Sequence, residues 1–139
     1  MTGPASFGFL DSTPATPPAG AIATIGAGSD TLVLKTSEDA YLGDAQYTVS
    51  VDDEQVGGTQ TAMSLHGTGA SDTLNVLGDW TTGNHTVTVN FLNDAWDGSA
   101  ATDRNLYVDS ATYNGTTVSG ATLSLGVTGP ASFTFPSHT

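Results

Sequence analysis

The chain has no cysteine and only two lysine or arginine side chains, Lys35 and Arg104, among its 139 residues. Without cysteine it cannot form a disulfide framework, a zinc–thiolate site, an iron–sulfur cluster or a thiol nucleophile. The two cations stand against 14 acidic residues, which gives a formal net charge of −12. Nucleic acids and anionic membrane surfaces require a basic face, so the sequence argues against both as partners.

Long hydrophobic runs are also missing. No apolar stretch approaches the roughly 20 residues of a membrane-spanning helix. The N-terminus lacks the basic and apolar regions of a secretory signal peptide, so an export signal would have been removed or would lie elsewhere. Charged residues make up only 12% of the chain, whereas glycine occurs 17 times and threonine and serine are abundant. This balance is unlike that of a helical domain and indicates an all-β protein.

Apolar and polar residues alternate with a period of two, and turn residues separate the alternating segments. This pattern predicts an all-β fold, a jelly-roll-like β-sandwich of mostly antiparallel strands. The clearest segment is 85–92, in which Val87, Val89 and Phe91 should face the core. The candidate strands are 31–36, 46–51, 61–66, 72–77, 85–92, 105–108, 111–113, 116–118 and 121–125.

One octapeptide occurs twice, as TGPASFGF at 2–9 and as TGPASFTF at 128–135. This near-identity favours one unit of a tandem array with the same connector on each side; two matching edge strands within one domain are the alternative. The proline-rich TPATPPAG at 13–20 excludes a helix and favours an extended chain. We therefore predict a linker or edge segment at 1–28, the sandwich at 29–127 and a C-terminal connector at 128–139.

Most acidic residues fall at predicted turns, such as Asp52-Asp53, where solvation or hydrogen bonds to the backbone explain them. The exception is Asn93-Asp94-Ala95-Trp96-Asp97-Gly98, followed by Thr102-Asp103-Arg104-Asn105. Calcium takes six to eight oxygen ligands, which a glycine-containing loop can supply. The stretch is not an EF-hand, because the D-x-D-x-D-G run and the final glutamate are missing. The alternative is a loop rich in Asx turns, with Arg104 in a salt bridge to Asp103 or Asp97.

The stretch NDAWDGSAATDRNLYVD at 93–109 resembles the signature of calcium-dependent, xylan-binding carbohydrate-binding modules, families 36 and 60. Two upstream blocks, SEDAYLGDAQYTVSVDDEQVGG at 37–58 and GDWTTGNHTVTVNFLNDAW at 78–96, resemble other parts of the same family. Their order is similar to that of family 60 rather than to that of its circularly permuted relative, family 36. The resemblance covers residues 30–118 and also implies a β-sandwich.

The resemblance further implies a loop-bound Ca²⁺ ion that coordinates two vicinal hydroxyls of a sugar ring directly. Arg104 is one of only two cations, and we interpret its guanidinium as holding Asp103 or a neighbouring carboxylate in a ligating orientation, with hydrogen bonding to the sugar as the alternative. The metal ligands that the resemblance implies are Asp94, Asp103, Asn105 and the backbone carbonyl of Trp96, with Asn93 as an outer support.

The roles of five further side chains stay open. Asp97 stands where the family pattern often has glycine, and it could add a calcium ligand, occupy the place of the sugar or be a solvated loop residue. Glu38 and Asp39 could complete the same site, hold a second, structural calcium or belong to a simple turn. The indole of Trp96 could contact the sugar or pack in the core. Tyr41 could flank the ligand or cap the core.

Catalytic arrangements are not indicated. The three histidines, His66, His85 and His138, are scattered, and carboxylates around a cation would stay ionised, which is unsuitable for a general acid. We therefore expect no catalytic residues and no enzyme activity. The predicted function is calcium-dependent binding of xylan- or galactan-like polysaccharide by a secreted module of a larger protein. The alternative is a calcium-stabilised structural or adhesive repeat of a secreted bacterial protein.

Overall fold

The structure is a computed structural model that describes residues 21–99 and 103–137. These residues form a β-sandwich of two sheets, which confirms the predicted fold class. They contain no helix long and apolar enough to cross a membrane. The strands are β1 (Ile22–Gly26), β2 (Asp30–Asp39), β3 (Gln46–Val51), β4 (Glu54–Thr61), β5 (Asp72–Gly78), β6 (Gly83–Phe91), β7 (Asn105–Tyr113), β8 (Thr116–Thr117), β9 (Leu123–Leu125) and β10 (Gly129–Ser137).

The larger sheet has the strand order β1-β5-β2-β7-β8, and β9 also pairs with β7. The smaller sheet has the order β10-β6-β3-β4. Within these sheets only β1 and β5 pair in parallel, so the prediction of mostly antiparallel strands is confirmed. A three-residue 3₁₀ turn at His66–Thr68 connects the two sheets between β4 and β5.

The core lies between the inward faces of the two sheets. Val87, Val89 and Phe91 of β6 are fully buried, as their alternation predicts, and so are Leu106 and Val108 of β7. Burial of each such side chain contributes about 1.5–3 kcal/mol to folding. Truncation of the largest, Phe91→Ala, would cost about 3–5 kcal/mol because it leaves a cavity in a closely packed interior.

Two hairpin turns are formed by residues that favour a positive φ angle. Asp52 and Asp53 have φ angles of 52° and 68° at the β3–β4 hairpin, and Asn114 and Gly115 have φ angles of 48° and 85° at the β7–β8 hairpin. Positive φ at both central positions is the type I′ turn, whose twist matches that of the paired strands. Aspartate, asparagine and glycine adopt this conformation more easily than other residues.

The sandwich extends beyond the predicted bounds of 29–127. The second octapeptide copy lies within β10, which pairs with β6 along its whole length and buries Phe133 and Phe135. The second copy is thus an edge strand and not a connector. Pro130 and Pro136 are exposed in β10, because an edge strand tolerates proline where its outer side needs no hydrogen bond. The first copy and the TPATPPAG stretch lie outside the described residues.

The predicted strand at 61–66 is wrong, because β4 ends at Thr61. Beyond β4 the chain is held by isolated backbone hydrogen bonds, from the N–H of Ala62 to the carbonyl of Ala45 and from the N–H of Glu38 to the carbonyl of Ser64, both at 2.9 Å, and by a side chain. The carboxylate of Asp72 accepts hydrogen bonds from the backbone N–H groups of Met63 (2.6 Å) and Ser64 (3.2 Å). Isolated contacts of this kind, several of them made by a side chain, give no period-two signal in the sequence.

Candidate functional site

Three loops lie together at one end of the sandwich. We name them loop A (40–45, between β2 and β3), loop B (the described residues 92–99 and 103–104, between β6 and β7) and loop C (126–128, between β9 and β10). The strand register brings them together: Asp39 is opposite Asn105, Leu125 is opposite Leu106, and both Tyr47 and Gly129 are opposite Phe91. All predicted site residues lie in these loops or in the strand ends next to them.

Loop B folds back on itself. Trp96 and Asp103 form an isolated antiparallel bridge, and the N–H of Arg104 donates to the carbonyl of Ala95 at 2.7 Å. This contact brings together two of the predicted metal ligands, the backbone of Trp96 and Asp103. The hydrogen bond beside the bridge uses the carbonyl of Ala95 and not that of Trp96.

Arg104 is a buried clamp between loops A and B. Its Nε and Nη2 atoms donate to the carbonyl of Tyr41 at 3.0 and 2.7 Å, and Nη2 also donates to the carbonyl of Leu42 at 2.7 Å. Its Nη1 atom donates to the carbonyl of Asn93. Within the described residues Arg104 has no ion pair with a carboxylate, contrary to its expected contact with Asp103. The carbonyls of three loop residues occupy its donors instead.

Asn93 also joins these loops. Its Oδ1 atom accepts from the N–H of Gln46 at 2.8 Å, and its Nδ2 atom donates to the carbonyl of Asp44 at 3.1 Å. The next residue reaches loop C, because the N–H of Asp94 donates to Thr128 Oγ1 at 3.0 Å. Asn93 and Arg104 therefore fix the backbone on both sides of Asp94.

Asp94 has a carboxylate oxygen, Oδ1, that is buried and lacks a hydrogen-bond partner in the described part of the chain. Burial of an unpaired charged oxygen is costly, so such an atom requires an explanation. A hard cation would provide one. No group of three acidic or histidine side chains converges within residues 21–99 and 103–137. The donor set therefore fits calcium only if carbonyl and amide oxygens supply the other ligands, as calcium permits.

Glu38 is the second side chain with an unpaired buried oxygen. Its Oε1 atom accepts from the N–H of Ala45 at 2.6 Å, whereas Oε2 has no donor among the described residues. Burial, followed by the neighbouring Asp44 carboxyl group, raises the pKa of Glu38 to about 8. The sequence interpretation missed Asp44. Its position directly before β3, where loop A returns to Glu38, is the signal that could have identified it.

Asp39 and Asn105 are direct neighbours across β2 and β7. Asp39 Oδ2 accepts from Asn105 Nδ2 at 2.9 Å and from the hydroxyl of Tyr107 at 2.5 Å. Burial and the proximity of Asp39 raise the pKa of Tyr107 to about 12, so the hydroxyl stays a donor. The ring of Tyr107 stacks on His66, with 3.8 Å between the ring centroids. These contacts fix the side chain of Asn105 at the base of loop B.

The aromatic and acidic side chains at the tip of loop B point outward. Trp96 is 65% exposed, which excludes the core-packing alternative. Asp97 is also exposed. Tyr41 is partly buried, and its backbone carbonyl is held by Arg104. An exposed indole beside carboxylates offers an apolar surface and polar groups to the same ligand.

The comparison with protein families agrees with this geometry. Residues 31–123 match the model of a family described as a calcium-dependent carbohydrate-binding module that binds xylan. The match includes loops A and B in full. Neither a curated protein nor a solved structure shows significant similarity to the chain. Because the match covers more than half of the residues, the chain belongs to family 60 of the carbohydrate-binding modules, the calcium-dependent, xylan-binding family.

Proposed function

We propose that the protein binds xylan-type polysaccharide through a Ca²⁺ ion held by loop B and the adjoining strand ends. The observation that carries this proposal is the buried Oδ1 atom of Asp94, which has no hydrogen-bond partner in the described part of the chain. When bound, the ion would supply coordination positions at which two vicinal sugar hydroxyls replace water. All other contacts with the polysaccharide would come from the side chains around the ion.

The calcium ligands would come from both arms of loop B. Asp94 and Asp103 would provide carboxylate oxygens, Trp96 its carbonyl and Asn105 its amide oxygen. The Trp96–Asp103 bridge supports this set, since it joins the two arms. Asp39 accepts the hydrogen bond from Asn105 Nδ2, so the amide oxygen of Asn105 is left as the atom for a cation.

The remaining acidic residues have supporting roles in this proposal. Asp97 is exposed on loop B and could become an additional ligand without moving the core. Glu38 would contribute Oε2 either to the same ion or to a second, structural one next to Asp44. Asp39 fixes Asn105 and Tyr107 by hydrogen bonds. Asn93 and Arg104 would act as backbone supports, because their contacts are with carbonyl and N–H groups.

We propose further that the module is not an enzyme. A glycoside hydrolase needs a protonated carboxyl group in contact with the glycosidic oxygen. Among the described carboxyl groups with a shifted pKa, only Glu38 has a raised value, and its side chain is fully buried. The carboxyl group of Glu38 therefore cannot reach a polysaccharide.

The exposed indole of Trp96 would lie against the apolar face of a sugar ring, with Tyr41 at the flank.

A galactan-like polysaccharide remains within the proposal, because calcium selects the spacing of two hydroxyls and not a complete sugar. We also propose that the module is extracellular and part of a larger protein.

The second candidate function is a calcium-stabilised structural or adhesive repeat. The repeated octapeptide supports it, since its second copy is built into the fold as β10.

Isothermal titration calorimetry of xylohexaose into wild type, Asp94→Asn and Asp53→Asn tests the proposal in the presence of calcium. Asp53 is a suitable control because it lies in the β3–β4 turn at the opposite end, where asparagine also accepts a positive φ. We expect at least about a tenfold loss of affinity for Asp94→Asn, since a calcium ligand is removed, and none for Asp53→Asn. Equal affinity of all three proteins would contradict the site. Calcium binding by wild type without any sugar binding would favour the structural repeat.

A further inference from the structure

Exposed apolar side chains lie on all three loops A, B and C. Of the seven large hydrophobic residues that are exposed in the described part of the chain, four lie in loops A, B and C. Single exposed apolar residues are normal on a protein surface, whereas a group on adjoining loops indicates a binding surface. The four residues are Leu42 (81% exposed), Val127 (70%), Trp96 (65%) and Leu92 (37%).

Leu42 is also held in an unfavourable backbone conformation. Its φ angle is 56°, and the other non-glycine residues with positive φ in the described regions are aspartate or asparagine in hairpin turns. For leucine this conformation costs on the order of 1 kcal/mol. No core contact compensates, because the side chain is exposed. Such strain is found at ligand-binding positions, where the surrounding structure enforces it.

Arg104 enforces the conformation of Leu42. Its guanidinium binds the carbonyls of Tyr41 and Leu42 and, through Nη1, the carbonyl of Asn93 next to Asp94. On the other side, Thr128 follows Val127 directly and accepts a hydrogen bond from the N–H of Asp94. Both exposed residues are therefore joined by hydrogen-bonded neighbours to the backbone around Asp94. The loops are fixed relative to one another before any ligand binds.

We propose that Leu42 and Val127 form apolar contacts with sugar units next to the one at the calcium site, so that the module recognises a polysaccharide chain and not a single sugar. This inference rests on the proposed function. Pyranose rings present apolar C–H faces, and aliphatic side chains beside an exposed indole can pack against them. The two hydroxyls at an ion fix one ring, whereas this surface accounts for the affinity for a longer chain.

The test compares xylobiose with xylohexaose by calorimetry at saturating calcium. Leu42→Asn removes the apolar side chain but suits positive φ, and Leu42→Met retains an apolar group. We expect Leu42→Asn to bind xylohexaose about five- to tenfold more weakly, because apolar burial is lost, with unchanged affinities for xylobiose and for calcium. Leu42→Met should bind like wild type. Ile22→Asn is the matched control, because Ile22 is exposed (73%) but lies on the edge strand β1 and not in loops A, B or C.

Thermal unfolding of Leu42→Asn in EDTA separates a ligand contact from a structural role. We expect the variant to be as stable as wild type or more stable, because asparagine relieves the backbone strain. Equal affinity of wild type and Leu42→Asn for xylohexaose would overturn the inference and leave the proposed function intact. A variant that loses both stability and affinity for every saccharide would also overturn it. Failure of wild type to bind any saccharide would overturn the proposed function itself.

Discussion

At the end of the sandwich opposite loops A to C, three carboxylates accept hydrogen bonds from backbone N–H groups. Asp30 accepts from Trp80 (3.0 Å), Asp79 from Ser29 (2.8 Å) and Asp52 from Thr86 (2.9 Å). These bonds, and for Asp52 above all the contact with His85, lower the pKa of all three groups. Carboxylates that are paired in this way stabilise the fold without a bound cation.

At the loop end the same residue types are incompletely paired. Asp94 and Glu38 each have a buried oxygen without a donor in the described part of the chain, and the pKa of Glu38 is raised to about 8. Hydrogen bonds to a carboxylate favour its charged form, and burial without them disfavours it. The comparison teaches that acidity alone does not locate a cation site. The useful distinction is whether each carboxylate already has its partners.

The largest expected effect concerns calcium-linked stability. Addition of calcium at about 100 times its dissociation constant should raise the free energy of unfolding of wild type by about 2.7 kcal/mol. Asp94→Asn should lose most of this increase, because the ligating oxygen is removed. Chemical denaturation with calcium and with EDTA measures both values, and Asp53→Asn is the control. If calcium raised the free energy of unfolding of Asp94→Asn as much as that of wild type, the proposed difference between the two ends of the sandwich would be contradicted.

The second prediction concerns the clamp that joins loops A and B. Arg104→Lys should destabilise the protein by about 2 kcal/mol, since lysine cannot reproduce several fixed donors to buried carbonyls. Denaturant unfolding measures this loss. The matched control is Lys35→Arg, at the other cationic side chain, whose Nζ donates only to Thr73 Oγ1 among the described contacts. If Arg104→Lys were no less stable than this control, the clamp would be unimportant for folding.

The third prediction concerns the paired end. Asp52→Asn keeps an acceptor for the N–H of Thr86 and tolerates the positive φ, but it removes the charge opposite His85. Because Asp52 is half-exposed, the loss of stability should be only about 0.5–1 kcal/mol. It should be the same with calcium and with EDTA, and xylohexaose affinity should not change. A calcium-dependent loss would show that the two ends are coupled.

The smallest effect is the pH dependence of this pair. Asp52 and the carbonyl of Thr81 raise the pKa of His85 above its ordinary 6.5, and His85 lowers the pKa of Asp52 below 3.8. The stabilisation by His85 is complete below pH 6.5 and disappears as pH rises through the raised value. The stabilisation by Asp52 is complete above pH 3.8 and disappears as pH falls through the lowered pKa of Asp52. The stability difference between wild type and His85→Gln should therefore be largest between these values; a constant difference up to pH 9 would contradict the pairing.

The sequence predicted those strands in which alternation is strong. Segment 85–92 became β6 with its valines inward, but β4, with the sequence EQVGGTQT, has too few apolar residues to show a period. The octapeptide in β10 was interpreted as a connector because a nearly identical copy occurs at 2–9, and its proline is accepted by an edge strand.

For the site, the sequence placed Asp94, Trp96 and Asp103 in one loop, because they are close along the chain. It could not predict that Arg104 binds the carbonyls of Tyr41 and Leu42. That contact depends on the β2–β7 register, which brings together residues more than 60 positions apart. The exposure of Leu42 and Val127 likewise follows from how the loops pack and not from local composition.

The central claim is that sugar binding depends on calcium at loop B. The most direct test is calorimetric titration of xylohexaose into the wild-type protein three times: with millimolar calcium, with excess EDTA, and after calcium is restored. We predict binding in the first and third titrations and none in the second. Binding of equal strength in EDTA would contradict the account, because Asp94 and its neighbours would then have no part in recognition.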